Sequence, residues 1–131
     1  YIAVDDVGIV INPLLANGQV HGGVAQGLGQ ALLEHAIYEA GSGQALCGSL
    51  MDYALPRAHH FPSLVSEFDQ SQPCAHNPLG AKGCGEAGTI AAPAAIVGAV
   101  LDALRPLGVI DLGMPLTPMR VWQAIASARK D

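Results

Sequence analysis

The sequence predicts an α+β fold, with mixed β-strands packed by about three helices in a single domain over residues 1–131. Three observations carry that prediction. Tyr1-Ile2-Ala3-Val4 opens a β-branched run that reads as a strand. Apolar residues recur at helical spacing in two later stretches, Val20–Leu32 and Ile90–Leu104. Half of the 131 residues are apolar and only 13% are charged, enough to build a real core.

In chain order, Tyr1 to Ile11 reads as a strand with a bend or bulge at Asp5-Asp6-Val7-Gly8. Asn12-Pro13 is a turn signal. Asp6 reads as a cap or a metal ligand; no second carboxylate at ligand spacing favours the cap. Gln19 to Ala36 reads as a helix, because Val20, Val24, Leu28 and Leu32 recur every four residues and Ala25 and Ala31 broaden the stripe. Gly22, Gly23, Gly27 and Gly29 lie inside it. Each costs about 1 kcal/mol relative to alanine, so another helix or a ligand must approach closely. Gln19, at the predicted helix start, either offers its amide to a ligand or is an ordinary exposed glutamine.

Ile37 to Leu50 reads as a hairpin around Gly41-Ser42-Gly43. An irregular segment with Pro56, His59, His60 and Pro62 follows, and its adjacent histidines read as solvated rather than metal-binding. Val65–Asp69 alternates as a short strand. Ile90, Ala94, Val97, Leu101 and Leu104 form a helical stripe. Pro93 places its start near Thr89 or Ala92, and Arg105-Pro106 ends it. Val109-Ile110 reads as a short extended piece. Thr117-Pro118 starts the last helix. Val121, Trp122 and Ile125 supply its apolar face, and Arg129 and Lys130 suit its C-terminal end.

Several functions are disfavoured. Net charge is −5 and the six basic residues are scattered, which argues against nucleic acid. The longest strongly apolar uncharged run, Ala87–Leu101, has 15 residues, short of the roughly 20 of a membrane span. Cys47, Cys74 and Cys84 are odd in number and widely spaced, so no iron–sulfur cluster or zinc site is expected on this chain. Reduced thiols suggest a cytoplasmic location. A strand at the first residue and no initial methionine suggest a piece of a larger protein.

The densest chemistry lies in Asn77–Thr89, where Gly80, Gly83, Gly85 and Gly88 surround Lys82, Cys84 and Glu86. Gly83-x-Gly85-x-x-Gly88 matches a dinucleotide fingerprint, but no strand directly precedes it. Lys82 is followed by glycine, so the Walker pattern fails. Cys84 has no histidine fixed beside it as a nucleophile's base. Glu86 has two readings: a carboxylate raised by apolar surroundings into a general base, or a helix-start glutamate facing the dipole.

Gly80-Ala81-Lys82-Gly83-Cys84-Gly85-Glu86-Ala87-Gly88 resembles the G-x-K-G-x-G-E-x-G loop of the molybdenum hydroxylases, the family of xanthine dehydrogenase, aldehyde oxidase and carbon monoxide dehydrogenase large subunits. Other stretches agree in order: Asp6-x-Gly8-x-x-Ile11-Asn12-Pro13, Gly18-Gln19-Val20-His21-Gly22-Gly23 through Gly29, Asp52-Tyr53-x-Leu55-Pro56, and Pro115-Leu116-Thr117-Pro118. The resemblance implies a molybdenum cofactor-binding domain-like fold, covering the C-terminal part of the molybdopterin-binding domain. It implies a molybdopterin-dependent hydroxylase or dehydrogenase that oxidises an aldehyde, N-heterocycle or carbon monoxide with water-derived oxygen, Glu86 being the active-site base beside molybdenum. Gln19 matches the glutamine that hydrogen-bonds the molybdenum end of the cofactor. Lys82, Gly83, Cys84 and Gly85 match the loop wrapped on it, with Cys84 at a variable position and no catalytic role. The implied cofactor is molybdopterin, in its cytosine dinucleotide form, with iron–sulfur clusters and FAD on other domains or subunits. Implied partners are the rest of the large subunit, iron–sulfur and flavin subunits, and a small-molecule substrate. Alone, the chain is expected to be metal-free and inactive, with no protein metal ligands of its own. The competing reading is a non-catalytic orphan domain serving assembly or cofactor binding; retention of both Glu86 and Gln19 argues against it.

Overall fold

A computed structural model describes residues 1–61 and 63–129. The chain forms two compact units, Tyr1–Gly27 with Arg57–Ala92, and Leu28–Pro56 with the chain from Pro93 onward.

The first unit contains a two-stranded parallel sheet, β1 (Ile2–Asp6) and β2 (Val65–Asp69), in register from Ile2↔Val65 to Asp6↔Asp69. β1 is shorter than the strand expected over Tyr1 to Ile11. It ends where the bend was foreseen, because Gly8 turns the backbone to φ +63° and pairs antiparallel with Ala81. No side chain fits there, since a Cβ on Gly8 would sit 2.2 Å from the Gly80 carbonyl oxygen.

Helix α1 (Pro13–Leu28) begins six residues before the expected start at Gln19. The Asn12-Pro13 pair is a cap rather than a free turn. Asn12 Oδ1 accepts from Leu15 N at 3.2 Å, and Pro13 takes the first helical position, where its missing N–H costs nothing. The predicted stripe is the buried one: Ala16, Val20 and Val24 are buried in this unit. Full burial of a valine contributes about 1.5–3 kcal/mol, which offsets the glycines at about 1 kcal/mol each. A side-chain chain ties α1 to β2, with His21 Nε2 to Ser66 Oγ at 3.0 Å and Ser66 Oγ donating to Asn17 Oδ1 at 2.8 Å. The short helix α2 (Ala87–Ile90) follows the glycine loop.

The second unit begins with a π-helical turn, Gly29–Leu33, closed by Glu34 N donating to Gly29 O at 2.8 Å. It ends the helix three residues before Ala36. A Cβ on Gly29 would meet Glu34 Oε1 at 2.3 Å and Pro56 Cγ at 2.8 Å. The Asp52–Pro56 motif packs here: Tyr53 OH donates to Glu34 Oε2 at 2.7 Å, and Pro56 covers Gly29. The hairpin forms as read, with Tyr38 bridged to Ala45 and Leu46 N donating to Ile37 O at 2.8 Å. Leu116 N donates to Ala31 O at 2.6 Å, and Leu116 is buried with Leu28, Ala31, Leu104 and Val109.

Helix α3 (Ala92–Leu104) begins at the expected place, and a 3₁₀ turn, Arg105–Leu107, ends it at Gly108. The stripe does not reach back to Ile90, which is 73% exposed: the helix is interrupted at Ala91, so the period is not carried across. The helical stretch Ala87–Leu107 spans 21 residues and contains an 18-residue window of mean hydropathy 1.7, long and apolar enough to cross a membrane by length and composition. Unlike the uncharged run Ala87–Leu101, this stretch includes Asp102 and Arg105. Helix α4 (Pro118–Ala128) is capped by Thr117, whose Oγ1 accepts from Arg120 N at 3.4 Å. Val121 and Ile125 are half-buried, but Trp122, one position round the helix, is 64% exposed. Pro62 and Lys130 lie outside the described residues.

Candidate functional site

All six candidate residues, Gln19, Lys82, Gly83, Cys84, Gly85 and Glu86, belong to the first unit. Two backbone crossings place them. In the first, residues 7–9 pair with residues 80–82: Ile9 N donates to Gly80 O at 3.0 Å, and Lys82 N to Val7 O at 2.8 Å. Gly80, at φ +67°, is hemmed in by Ile9 and Pro73. An ion pair spans the same crossing, Lys82 Nζ to Asp6 Oδ2 at 2.6 Å. Asp6 Oδ1 also accepts from Gly8 N at 2.9 Å. The lysine and this amide together hold the Asp6 carboxyl below the usual carboxylate range. Asp6 is therefore the cap anticipated from sequence, with a second partner 76 residues away.

In the second crossing α2 lies directly on α1. A Cβ on Gly88 would be 2.3 Å from the Val20 carbonyl oxygen, and one on Gly23 would be 2.9 Å from Thr89 N. These two glycines are explained by helix-on-helix contact. A third, Gly85, lies over Gln19, whose Nε2 would be 4.0 Å from a Cβ built there. The contact joins the glycine-rich helix to the glycine-rich loop.

The remaining glycines behave differently. A Cβ on Gly18, Gly22 or Gly83 would meet nothing within 4 Å. Gly18 and Gly22 are one turn apart on α1, and Gln19 and Gly22 share a face. Among the described residues, no neighbour requires glycine at these positions.

Gln19 is exposed in the second turn of α1, not at its start, so its amide projects from the helix flank. It lines a largely apolar cleft of about 210 Å³ together with Ile9, Ile11, Leu15, Lys82 and Cys84. Cys84 is a free, half-buried thiol. Glu86 occupies the N-cap position of α2 without using its side chain as a cap. Its carboxylate is exposed and makes no hydrogen bond among the described residues. The apolar enclosure expected around it is not formed by the described residues, which leave Glu86 exposed.

Sequence reasoning missed the Asp6–Lys82 pair and the Asn17–Ser66–His21 chain, which join residues distant in sequence; β-strand polarity at Ser66 was the one available signal. His60 Nδ1 accepts from Arg57 N at 2.9 Å, and burial pushes its pKa below the usual imidazole value. No group of three His, Cys, Asp or Glu gathers as a metal site among the described residues.

A family model for the molybdopterin cofactor-binding domain matches residues 1–62, which include Gln19 and stop short of the glycine loop. Subunit gamma of the 6-hydroxypseudooxynicotine dehydrogenase complex of Paenarthrobacter nicotinovorans is 41% identical over 95% of this chain and 16% of its own length. The carbon monoxide dehydrogenase large chain of Hydrogenophaga pseudoflava is 37% identical over 95% of this chain and 15% of its own. In the crystal structure of quinoline 2-oxidoreductase from Pseudomonas putida 86, a segment 42% identical in sequence superposes with a TM-score of 0.87, covering 95% of this chain and 16% of that one. The chain thus spans about a sixth of the length of the relatives it matches. Its strand-and-turn, glycine-rich helix and glycine loop follow one another on a backbone shared with these enzymes, and the chain belongs to the molybdenum hydroxylase family.

Proposed function

We propose that this chain forms one wall of the molybdopterin site in a catalytic subunit that oxidises a small molecule with water-derived oxygen. The observation that carries the reading is the division of the glycines. A Cβ on Gly23, Gly29, Gly80 or Gly88 would meet protein neighbours at 2.3–3.1 Å, whereas one on Gly18, Gly22 or Gly83 would meet nothing within 4 Å. Bare backbone on two adjoining segments suits a flat cofactor edge. There the N–H groups of residues 83–85 reach a ligand that side chains would hold away.

The residues present fit such a group. Gln19 offers a donor and an acceptor from its amide. Lys82, Gly83, Cys84 and Gly85 supply the wrapped loop, Lys82 by fixing backbone rather than by its charge, which Asp6 already neutralises. When bound, a molybdenum cofactor supplies a two-electron acceptor. Glu86, whose carboxylate has no hydrogen-bond partner among the described residues, acts as the base, taking a proton from water as oxygen is delivered to the substrate. Other parts of the large subunit enclose Glu86 and form most of the substrate pocket. Iron–sulfur and flavin subunits carry electrons away. The names of the relatives span 6-hydroxypseudooxynicotine, quinoline and carbon monoxide, so the substrate is proposed as a class: an aldehyde, an N-heterocycle or carbon monoxide. The cytosine dinucleotide form of the cofactor and a cytoplasmic setting, consistent with three free thiols, complete the reading.

Metal and pterin analysis of the complete complex tests this. The wild-type complex is expected to carry both, and Gln19→Ala to lower their occupancy. A wild-type complex without molybdenum or pterin overturns the reading.

A further inference from the structure

We propose that Asp6 is a positioning residue for the cofactor loop, acting through Lys82 to set the backbone of residues 82–85. The inference rests on the cofactor-site reading above and adds a residue to which that reading gives no part. Asp6 ends β1, and its two carboxylate oxygens face different ways. Oδ1 accepts from Gly8 N, closing the turn whose positive φ only glycine adopts. Oδ2 accepts from Lys82 Nζ at 2.6 Å, a short charge-assisted bond. One side chain thus couples the geometry of the Gly8 turn to the first residue of the loop.

The backbone around the pair leaves little slack. Lys82 N donates to Val7 O and Ile9 N to Gly80 O, so the loop is pinned on the side of residues 80–82. Beyond Lys82, Cys84 lines the cleft with Gln19, Gly85 lies over Gln19 and Gly88 sits on Val20. Between Lys82 and Cys84, a Cβ on Gly83 would meet nothing within 4 Å. The direction in which the chain leaves residue 82 therefore decides where the bare backbone of Gly83 lies. The ammonium of Lys82 is also spoken for: with Asp6 on it, its part in the site is orientation and not charge. Side-chain exposures of 34% and 42% for Lys82 and Asp6 keep the pair partly in solvent, so its effect is graded and not all-or-none.

Asp6→Asn is the test, because an asparagine Oδ1 still accepts from Gly8 N while the charge toward Lys82 is gone. In the complete complex, the half-time of pterin loss on dialysis is followed by fluorescence of the released pterin, beside Lys82→Met, the double variant and Asp6→Glu. Each single variant is expected to shorten the half-time up to about fivefold, the range of an exposed ion pair. The double variant should be no worse than either single one, and Asp6→Glu should stay near wild type. Half-times that multiply in the double variant mean that Asp6 and Lys82 act independently of one another, and overturn the proposal. So does Asp6→Asn at the wild-type rate while the wild-type complex carries pterin. If Asp6→Asn does not assemble, Asp6→Glu carries the test, and loss as fast as in Lys82→Met overturns it. A wild-type complex with no pterin refutes the parent reading instead, so the two failures are distinguishable.

Discussion

Gly88→Ala sets two effects of opposite sign against each other, and the structure decides between them. Gly88 lies within α2, where alanine is favoured over glycine by about 1 kcal/mol. Against that, the added Cβ would stand 2.3 Å from Val20 O and 3.0 Å from Val20 C and Cα. Unstrained contacts need about 3.5 Å, so α2 must lift from α1 by roughly 1 Å. The obstacle is helix backbone, which cannot swing aside as a side chain would. Overpacking of this kind costs about 1–3 kcal/mol, here near the upper end. The net loss is about 1–2 kcal/mol. For a chain of this length, at roughly 4 °C per kcal/mol, Tm falls by about 4–8 °C. Thermal unfolding of the chain, followed by circular dichroism, reads it. Gly83→Ala is the control: nothing lies within 4 Å of its Cβ, so Tm should stay within about 2 °C of wild type, while cofactor occupancy of the complete complex drops. A Gly88→Ala Tm at or above wild type would refute the reasoning, because propensity would then have outweighed the clash. Full occupancy with Gly83→Ala would remove the argument from open glycines.

Two further outcomes follow from local geometry. Thr117→Ala removes the N-cap of α4 and is expected to cost about 0.5–1 kcal/mol, the lower part of the usual range because the bond to Arg120 N is long at 3.4 Å; a shift of the urea midpoint measures it, and no shift contradicts the cap. Tyr53 donates to Glu34, which holds the phenol pKa above its ordinary value of 10.0. A raised folded-state pKa contributes stability that is fully present below the unfolded value and lost as pH rises through the folded one. The advantage of wild type over Tyr53→Phe in denaturant midpoint should therefore decline as pH rises above the ordinary phenol value of 10.0, and an advantage that stays constant there would contradict the bond.

Elements with local signals were readable from sequence. Thr117-Pro118, the Pro93 helix start, the Gly41-Ser42-Gly43 turn and the Val20–Val24–Leu28 stripe each encode their structure within a few residues. Where local signals had two meanings, tertiary context chose. Asn12-Pro13 serves turns and helix starts alike, and the apolar face from Ala16 onward made it a start. The π turn at Gly29 had no signal of its own, because its extra residue is stabilised by Pro56 and Tyr53 across the second unit. In the site, the glycine loop and Glu86 stood out by composition alone. Which glycines serve packing and which face open space depends on Val20, Thr89 and Gly80 lying opposite particular positions, and the chain displays that only once folded. The Asp6–Lys82 pair was hidden for the same reason, its members being 76 residues apart.

The role proposed for Glu86 is that of the base in a molybdopterin site. Its most direct test is turnover per bound molybdenum in the complete complex, wild type against Glu86→Gln. Because the Glu86 side chain makes no hydrogen bond among the described residues, the glutamine variant should assemble and retain molybdenum and pterin. Its turnover should fall by about 10²–10⁴-fold, the contribution of a positioned general base. Full cofactor with wild-type turnover in Glu86→Gln would contradict the claim.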